Sequence, residues 1–591
     1  MTELSAIFKK LIIGHRGVGK TNFLKRHESY FKQAGLNIPH FDLDQEIERL
    51  KNDSIQNIFN LNGEVNFRTL EIDTYNKLIK ENKSYVISLG AGFNLSHASD
   101  DQDILFINRI TDKNGRIFLN RPRLNSNLSP LEEYQKRYLA RNESYFNKAT
   151  QIYTMPEGLQ EENDVEKAII LNSTYIEDGI YTLVEKEIQS LDFLIAKYKN
   201  IELRTDLIPI DKINKIVKEN VNQKWLIAIR TEQSINRYNN AIYDFDVNLM
   251  KAPDFLFENS ENIISCHLSN LTEAILKTKD FKNIQIKLSP EVESFEDLIK
   301  GHEWQQANPG ERSFLPRSKG GKWVWFRQIS KYLQKINFVR NFTLISDQPS
   351  EYQWLSLPQQ KPISFGAVLG APILFSRSPE IHKKYFEKMN SFFTAIELNE
   401  DEFAKHIHWL NKIGLAYAAV TSPLKKVAFD FAEVNENKSI QYKSANTLHF
   451  KKNALFATNT DWFGFQELVK ENITDINCDI VVWGGGGTLN MMQSVLPNAI
   501  YISSQTGQLR KDSVEKNINS LVNPIIIWAA PRTDQTHLPP DSWNPKLIID
   551  LNYTENSMGL EYAEKYKLKY ISGLKMFTAQ ALEQQKYWSL S

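Results

Sequence analysis

Short apolar runs separated by amphipathic stretches recur along the whole chain and set its organisation. Ile7-Phe8 and Leu11-Ile12-Ile13 predict a strand, and Asn22 to Gln33 predicts a helix behind it. Tyr85 to Leu89 predicts another strand, and Arg141-Asn142-Glu143-Ser144-Tyr145 lies in a helical pattern. Further on, the runs Ile201–Leu203, Trp225–Ile229, Ala241–Val247, Asn262–Cys266 and Asn283–Ile286 alternate with helical stretches. Such alternation predicts parallel α/β structure, with charged residues gathered at the C-terminal ends of the strands. Strands over Phe365–Leu369, Ile480–Trp483 and Ile500–Ile502 follow. Between these blocks, Thr174 to Lys199 is acidic at first and then helical in pattern, which reads as a connector. Pro358 to Pro362 reads as a linker.

Composition changes the picture little. The 591 residues suggest three or four domains of ~150 residues. Lys+Arg 71 balances Asp+Glu 71, so no overall field favours nucleic acid or an anionic membrane as partner. Cys266 and Cys478 are far apart, which excludes a disulfide scaffold and a Cys-rich zinc site. With no signal peptide and no apolar run of bilayer length, a soluble, cytoplasmic, multidomain protein is expected.

The most specific chemistry is at Gly14-His15-Arg16-Gly17-Val18-Gly19-Lys20-Thr21, which fits G-x-x-x-x-G-K-[ST] between a strand and a helix. Gly14, Gly17 and Gly19 let backbone N–H groups curl around phosphate oxygens, Lys20 reaches the outer phosphates, and Thr21 holds Mg²⁺. ATP is the expected ligand. Downstream, Phe41-Asp42-Leu43-Asp44 ends a strand before a helix near Gln45, and alternate positions put both carboxylates on one face. Gly63-Glu64-Val65-Asn66-Phe67-Arg68, Gly90-Ala91-Gly92, Arg121-Pro122 and Arg141 complete the set. In this order the motifs resemble shikimate kinase. The resemblance implies that Asp42 assists Mg²⁺ and that Asp44, Arg68, Gly90, Gly92 and Arg141 hold shikimate. It also implies that Arg121 closes on ATP from a lid, whose stretch Leu124 to Pro130 is rich in Asn and Ser.

In the middle block, Lys287 ends an apolar strand, where desolvation lowers a lysine pKa and readies it to form an imine with a ketone. His267, behind Ile263-Ile264-Ser265-Cys266, stands as a proton carrier. With Glu202-Leu203-Arg204-Thr205-Asp206 and Ser265-Cys266-His267, the set resembles type I 3-dehydroquinate dehydratase. The resemblance implies a Schiff base at Lys287, acid–base work by His267, and substrate binding by Glu202, Arg204 and Arg230. Asp246 or Asn248 would be the group beside the histidine. Spacing favours Arg327, in Trp325-Phe326-Arg327-Gln328, over Arg317 as the carboxylate-binding arginine. The family's Ser-Ala-Pro-Gly-Gln turn is absent, and the segment is short against the ~200–250 residues of a usual barrel.

The last block carries Ser376-Arg377-Ser378-Pro379, Thr421-Ser422-Pro423-Leu424-Lys425, Ser444-Ala445-Asn446-Thr447 and Asn459-Thr460-Asp461. It ends with Gly484-Gly485-Gly486-Gly487 after a strand, then Gly573-Leu574-Lys575-Met576 and Gln580. The glycine run reads as a Rossmann opening. Together these resemble shikimate dehydrogenase. The resemblance implies that Ser376, Ser378, Thr421, Asn446, Asp461 and Gln580 contact shikimate, and that Lys425 and Asp461 form the catalytic pair. Gly484, Gly486 and Gly487 would meet the dinucleotide. No acid follows Ile500-Tyr501-Ile502, and Ser504-Gln505-Thr506 stands where the family's Asn-Arg-Thr is expected. The reading is therefore NADP(H), bound through Ser504 and Thr506, with Arg510 or Lys511 as a substitute cation.

The expected fold class is multidomain α/β. It comprises a P-loop kinase domain at 1–175, a short (β/α) barrel-like domain at 190–357, and a two-part dehydrogenase at 362–591. Within the last, 466–569 is the Rossmann part, and 362–465 with 570–591 forms the substrate part. The three resemblances concern consecutive reactions on 3-dehydroquinate, 3-dehydroshikimate and shikimate, in the order of the last three domains of the fungal pentafunctional arom protein. The alternatives are a non-catalytic quinate-pathway-type regulator with the same domains, and a kinase/dehydrogenase with an inactive middle domain.

Overall fold

Four sheets follow one another along the chain in the computed structural model. It describes residues 7–115, 127–232, 235–249, 253–340, 342, 345–452, 454–473, 478–511, 513–530, 536–553 and 557–590. The first sheet is all parallel. Its order is His40–Asp42, Tyr85–Ser88, Lys9–Ile13, Asp103–Asn108, Gln151–Thr154. Leu11, Ile12 and Ile13 at its centre are almost wholly buried, so each face needs a helical cover. The helices Lys20–Gln33 and Pro130–Lys148 belong to this layer, the second opened by a capping box between Ser129 and Glu132. The helix Ile55–Glu81 breaks at Gly63 (φ 73°, ψ 169°), which re-aims the half carrying Arg68.

The second sheet runs in chain order through seven parallel strands, from Ile176–Leu183 to Arg312–Phe314. It curls. Ile180 N–H donates to the Asn337 carbonyl at 2.8 Å, and Val339 N–H donates to Ile180 O at 3.0 Å. Ile336 N–H reaches Ser313 Oγ at 3.4 Å, so the segment 336–339 lies between the first and last strands. Two expectations change here. The supposed connector supplies the first strand, Ile176–Leu183, upstream of the expected start at 190, and is helical only after it, as the 3-10 turn Glu185–Ser190 and the α-helix Leu191–Lys197. The polar residues Glu177-Asp178-Gly179 disguise that strand, because its register shifts between Ile176 and Ile180 and leaves Glu177 and Asp178 exposed.

The third sheet, mixed, has the order Phe393–Glu397, Phe365–Gly370, Leu415–Val420, Thr447–Lys451, Ala454–Thr458, Val434–Asn435. The fourth is parallel: Ile500–Ile502, Ile480–Gly484, Ile525–Ala529, Leu547–Asp550, Lys569–Ser572. The chain crosses back at Gly573, slightly later than the expected 570. The helix Leu574–Ser589 then packs on the substrate side, where Gln584 Nε2 donates to Asn446 O at 3.0 Å.

The domains are not beads on a string. Buried Trp323, Trp325 and Phe326 of the second unit continue into Phe365, Leu369, Phe392 and Ile396 of the third as one apolar core. Tyr352, from the helix Glu351–Leu355, is buried in the core of the first unit. Among the described residues no helix is long and apolar enough to cross a membrane.

Candidate active sites

The loop before the helix Lys20–Gln33 is shaped by its glycines. Gly17 and Gly19 have φ of 73° and 97°, and a Cβ on Gly14 would stand 2.5 Å from the Ile107 carbonyl oxygen. Lys20 Nζ donates to the carbonyls of Gly14 (2.9 Å) and His15 (3.3 Å), and Thr21 Oγ1 donates to Asp42 Oδ2 at 2.7 Å. A cavity of about 490 Å³ opens beside them and is also lined by Asp44, Arg68, Gly90, Gly92 and Arg141. Of the kinase residues expected from the sequence, all line it except Gly14, whose carbonyl accepts from Lys20, and Arg121, which lies outside the described residues.

The two aspartates arrive there by a different route from the one expected. The strand stops at Asp42, which caps the helix Leu43–Lys51 by accepting from the Asp44 and Gln45 N–H groups; Asp44 sits in the first helical turn. A cap and the turn after it, not one face of a strand, aim both carboxylates into the cavity. Burial, then the Asp42 charge, raises the Asp44 pKa. Burial lowers that of Lys20, against the pull of Asp44 and Asp42.

Sequence reasoning missed Glu71. It is buried, pairs with Arg68 one helical turn away, and is pushed up mainly by burial. The glycine pair leaves room for this arrangement: a Cβ on Gly90 would come within 2.6 Å of Glu71 Oε1, and one on Gly92 would overlap the Arg68 guanidinium. Arg109 was also missed. It pairs with Glu157 at 3.0 Å, and its Nη2 would lie 3.1 Å from a Cβ on Gly19, on the phosphate-loop side. Its position at the end of the strand Asp103–Asn108 was the available signal.

At the C-terminal ends of the second sheet, Lys287 Nζ donates to Asp244 Oδ2, and Arg230 Nη2 reaches the same oxygen at 2.7 Å. Lys287 and Asp244 are 3% and 0% exposed. Burial alone would raise Asp244, but Arg230 and then Lys287 hold its carboxyl well below the usual range. Burial lowers the Lys287 pKa, as expected for a desolvated amine, with Asp244 opposing. His267 Nδ1 lies 2.7 Å from Asp246 Oδ2, which decides between Asp246 and Asn248. Asn248 instead donates to Asp246 at 2.9 Å. Burial lowers His267, with the Asp246 hydrogen bond opposing. Glu202 accepts from Thr182 Oγ1 at 2.8 Å, and Arg204 pairs with Asp206 at 2.6 Å.

Arg327 requires a correction. It is 3% exposed on the helix Val324–Ser330, and its guanidinium donates to the carbonyls of Pro316 and Leu315, both at 3.2 Å. Burial lowers it to about 10. It therefore buttresses a loop. Arg317 is the arginine at the rim, donating to Ser289 O at 2.8 Å and to His267 O at 3.3 Å. Spacing misled because Trp325-Phe326-Arg327 is a buried helix. Asp244, which joins Lys287 to Arg230, was missed. Its alternation with Asp246 on the strand Ala241–Asp246 was the signal.

Between the third and fourth sheets a cavity of about 540 Å³ is lined by Thr421, Lys425, Asp461, Gly484, Gly486, Ser504, Arg510, Tyr553 and Gln580. Lys425 Nζ donates to Asp461 Oδ2 at 2.5 Å, and Asn446 Nδ2 donates to Asp461 Oδ1 at 2.9 Å. Asn446 lies 3.5 Å from Gln580 Oε1, so residues from three distant stretches meet. Gly484 and Gly485 have φ of 105° and 106°, and a Cβ on Gly484 would press on Ala529 O at 2.6 Å. Gly487 follows in the tight turn Gly486–Thr488.

Three expected positions differ. Ser376 lines another cavity of about 380 Å³, at the junction of all three units. Ser378 is buried and its N–H donates to Ser376 Oγ at 3.2 Å. Thr506 is exposed and accepts from the Gln508 N–H within its own turn, away from the cofactor-side lining. Arg510 does line that side, and its Nε is buried with no hydrogen-bond partner among the described residues.

Comparison with known proteins matches two stretches of the chain. Residues 16–170 match the family model for shikimate kinase, and residues 368–448 match the model for the shikimate dehydrogenase substrate binding domain. The chain is 27% identical over 237 residues to a shikimate dehydrogenase of Sulfurisphaera tokodaii, covering 37% of this chain and 87% of that protein. It is 26% identical over 243 residues to a shikimate dehydrogenase (NADP(+)) of Saccharolobus islandicus, covering 37% and 87%. A crystal structure of shikimate dehydrogenase 1 from Peptoclostridium difficile is similar at 21% identity, with a TM-score of 0.34, covering 39% of this chain and 92% of that one. The chain thus carries a shikimate kinase domain at 16–170 and a shikimate dehydrogenase substrate-binding domain at 368–448.

Proposed function

We propose that the chain is a trifunctional enzyme that dehydrates 3-dehydroquinate, reduces the product to shikimate and phosphorylates shikimate. The observation that carries the first step is the buried Lys287 joined through Asp244 to Arg230, with His267 held by Asp246 nearby. A lysine lowered by burial attacks a ketone and loses water to form an imine. His267, oriented by Asp246, takes a carbon-bound proton and returns one to the departing hydroxyl. Imine hydrolysis then frees the lysine.

For reduction, Lys425 and Asp461 deliver a proton to the ketone oxygen, and NADPH, when bound, supplies the hydride. The dinucleotide fits the glycines that approach the Ala529 backbone, and Arg510 suits a 2′-phosphate at a strand end that carries no acid. For phosphorylation, Lys20 neutralises charge on ATP while Arg68 and Arg141 position the acid. Thr21 and Asp42 suit Mg²⁺, which takes most of its oxygens from phosphate and water. The regulator reading is not favoured, because Lys20, Thr21, Asp44, Lys425 and Asp461 all stand in their clefts.

The test is to supply 3-dehydroquinate, NADPH and ATP and to follow each product. Sequential appearance of 3-dehydroshikimate, shikimate and shikimate 3-phosphate is expected. If 3-dehydroshikimate turns over while 3-dehydroquinate does not, the middle unit is inactive; no turnover of any substrate restores the regulator. Borohydride with 3-dehydroquinate should add a stable mass at Lys287, and an unmodified lysine under turnover sinks the imine.

A further inference from the structure

We propose that Lys186, which belongs to the middle unit, is a positioning residue of the kinase: it holds the C-terminal end of the helix that brings Arg141 to the phosphate-loop cleft. This rests on the kinase reading above. The helix Pro130–Lys148 meets the cleft along its length, where Arg137, Tyr138 and Arg141 line the cavity. Its next turn ties two other parts of the site to it. Asn142 Oδ1 stands 3.1 Å from His15 Nε2 of the phosphate loop, and the Tyr145 hydroxyl donates to the Ala91 carbonyl between Gly90 and Gly92. A displacement of this helix would therefore reach Arg141, the loop and the glycine turn together.

The end of the helix is not closed by the kinase itself. The Ala149 N–H donates to Tyr145 O at 2.9 Å and completes the last helical bond. The Thr150 N–H, next in line for Phe146 O, donates instead to Ile104 O at 2.9 Å as the chain enters the strand Gln151–Thr154. Phe146 O is thus one of the carbonyls that a helix leaves open at its C-terminus. Lys186 Nζ donates to Phe146 O and, at 3.1 Å, to Ala149 O. Its positive charge also faces the negative end of the helix dipole.

The amine is itself held in place. Lys186 lies in the turn Glu185–Ser190, directly after the first strand of the second sheet. Its Nζ stands 3.7 Å from the centre of the Phe342 ring, a cation on an aromatic face. Phe342 in turn packs against the apolar core of the first unit that contains Phe106, Tyr145 and Ala149. Two segments of the middle unit thus close on one helix end, little more than a turn beyond Arg141.

The experiment measures phosphorylation of shikimate by ATP in the full chain. Lys186→Met should raise KM for shikimate about 2- to 5-fold, the scale of one cation at a helix C-terminus. Its kcat and its KM for ATP should stay near those of the parent, as expected when binding shared by ground and transition states is lost. Amide exchange at Ala149 should speed up in the same variant. Lys186→Arg, still able to donate to both carbonyls, should restore KM. Lys212→Met removes the exposed partner of Glu185 in the same turn and should change neither constant. Faster exchange at Ala149 with an unchanged KM for shikimate makes Lys186 a structural clamp alone and overturns the proposal. An equal rise in both KM values, a failure of arginine to rescue, or a like effect of Lys212→Met overturns it as well. Lys186→Gln repeats the comparison if the methionine variant does not fold. Parent protein inert toward shikimate and ATP overturns the kinase reading itself, before any variant is compared.

Discussion

The phosphate-loop cleft and the strand-end cluster of the middle unit hold similar side chains whose carboxyl pKa values are shifted in opposite directions. In the first, Lys20, Asp44 and Arg141 border a cavity of about 490 Å³, and burial, then the charge of its neighbour Asp42, raises the Asp44 pKa. In the second, Lys287 and Arg230 both close on Asp244, which their charges hold deprotonated. One set of charges faces a void that a ligand can fill. The other is engaged internally, with Lys287 and Arg230 both donating to Asp244. The first geometry leaves its charges facing a cavity; in the second, removing one partner would leave an uncompensated buried charge.

Asp244→Asn should separate them most sharply. It keeps the shape but leaves Arg230 and Lys287 buried without a counter-charge, a loss of about 3–5 kcal/mol. Proton release from Lys287, already lowered by burial, should hold the loss toward the lower end. Because three units unfold in one chain, hydrogen exchange of the strand Ala241–Asp246 is the proper measure. Unchanged protection there would mean that the cluster is not what holds the sheet ends.

Lys20→Met is the counterpart in the open cleft. Removing a cation that acts on transferring phosphate should cost at least about 100-fold in phosphorylation. Hydrogen-exchange protection of the strand Lys9–Ile13 should stay near that of the parent. Loss of both activity and protection would show that Lys20, through its bonds to the Gly14 and His15 carbonyls, also holds the loop.

How far each region could be read from sequence follows the same division. The phosphate loop was legible because its residues are contiguous and the strand and helix flanking it agree. Its partners were legible by order, although Asp42 and Asp44 reach the cleft through a helix cap that alternation does not reveal. Glu71 escaped because a buried carboxylate one turn from Arg68 looks like an ordinary helical ion pair. In the middle unit the strands were legible, but the edge strand Ile176–Leu183 was hidden by its polar bulge. Which arginine faces inward depended on tertiary packing alone, and so Arg327 displaced Arg317. The hold of Lys186 on the end of the kinase helix crosses from one unit to the next, which no local pattern carries.

A second contrast concerns histidines. His267 has the Asp246 carboxylate beside it, whereas His15 has Asn142 at 3.1 Å and the rings of Tyr138 and Tyr145 at 4.4 and 4.9 Å. Burial lowers His15 to about 4, so it stays neutral in the folded chain while the unfolded chain takes up a proton near its ordinary pKa of 6.5. The stability associated with it is present above pH 6.5 and is lost as pH falls toward 4, by up to about 3 kcal/mol. His15→Gln, which keeps a partner for Asn142 and cannot titrate, should flatten that part of the acid loss in hydrogen exchange of the strand Lys9–Ile13. An identical pH slope in parent and variant would remove His15 as its source.

The smallest effect tests the opening contrast most directly. A carboxyl raised in the folded state favours folding when protonated, and that contribution disappears as pH rises through its folded pKa. At neutral pH the ionised Asp44, between burial and Asp42, is therefore a liability. Asp44→Asn should stabilise the first unit by about 0.5–1 kcal/mol at pH 7 and by nothing near pH 3, while phosphorylation of shikimate collapses. Removing an acid from the open cleft would then stabilise the fold, where removing one from the closed cluster destabilises it. If Asp44→Asn instead lowered stability at pH 7, Asp44 would be held by its cationic neighbours as firmly as Asp244 is, and the two regions would differ in shape but not in electrostatic design.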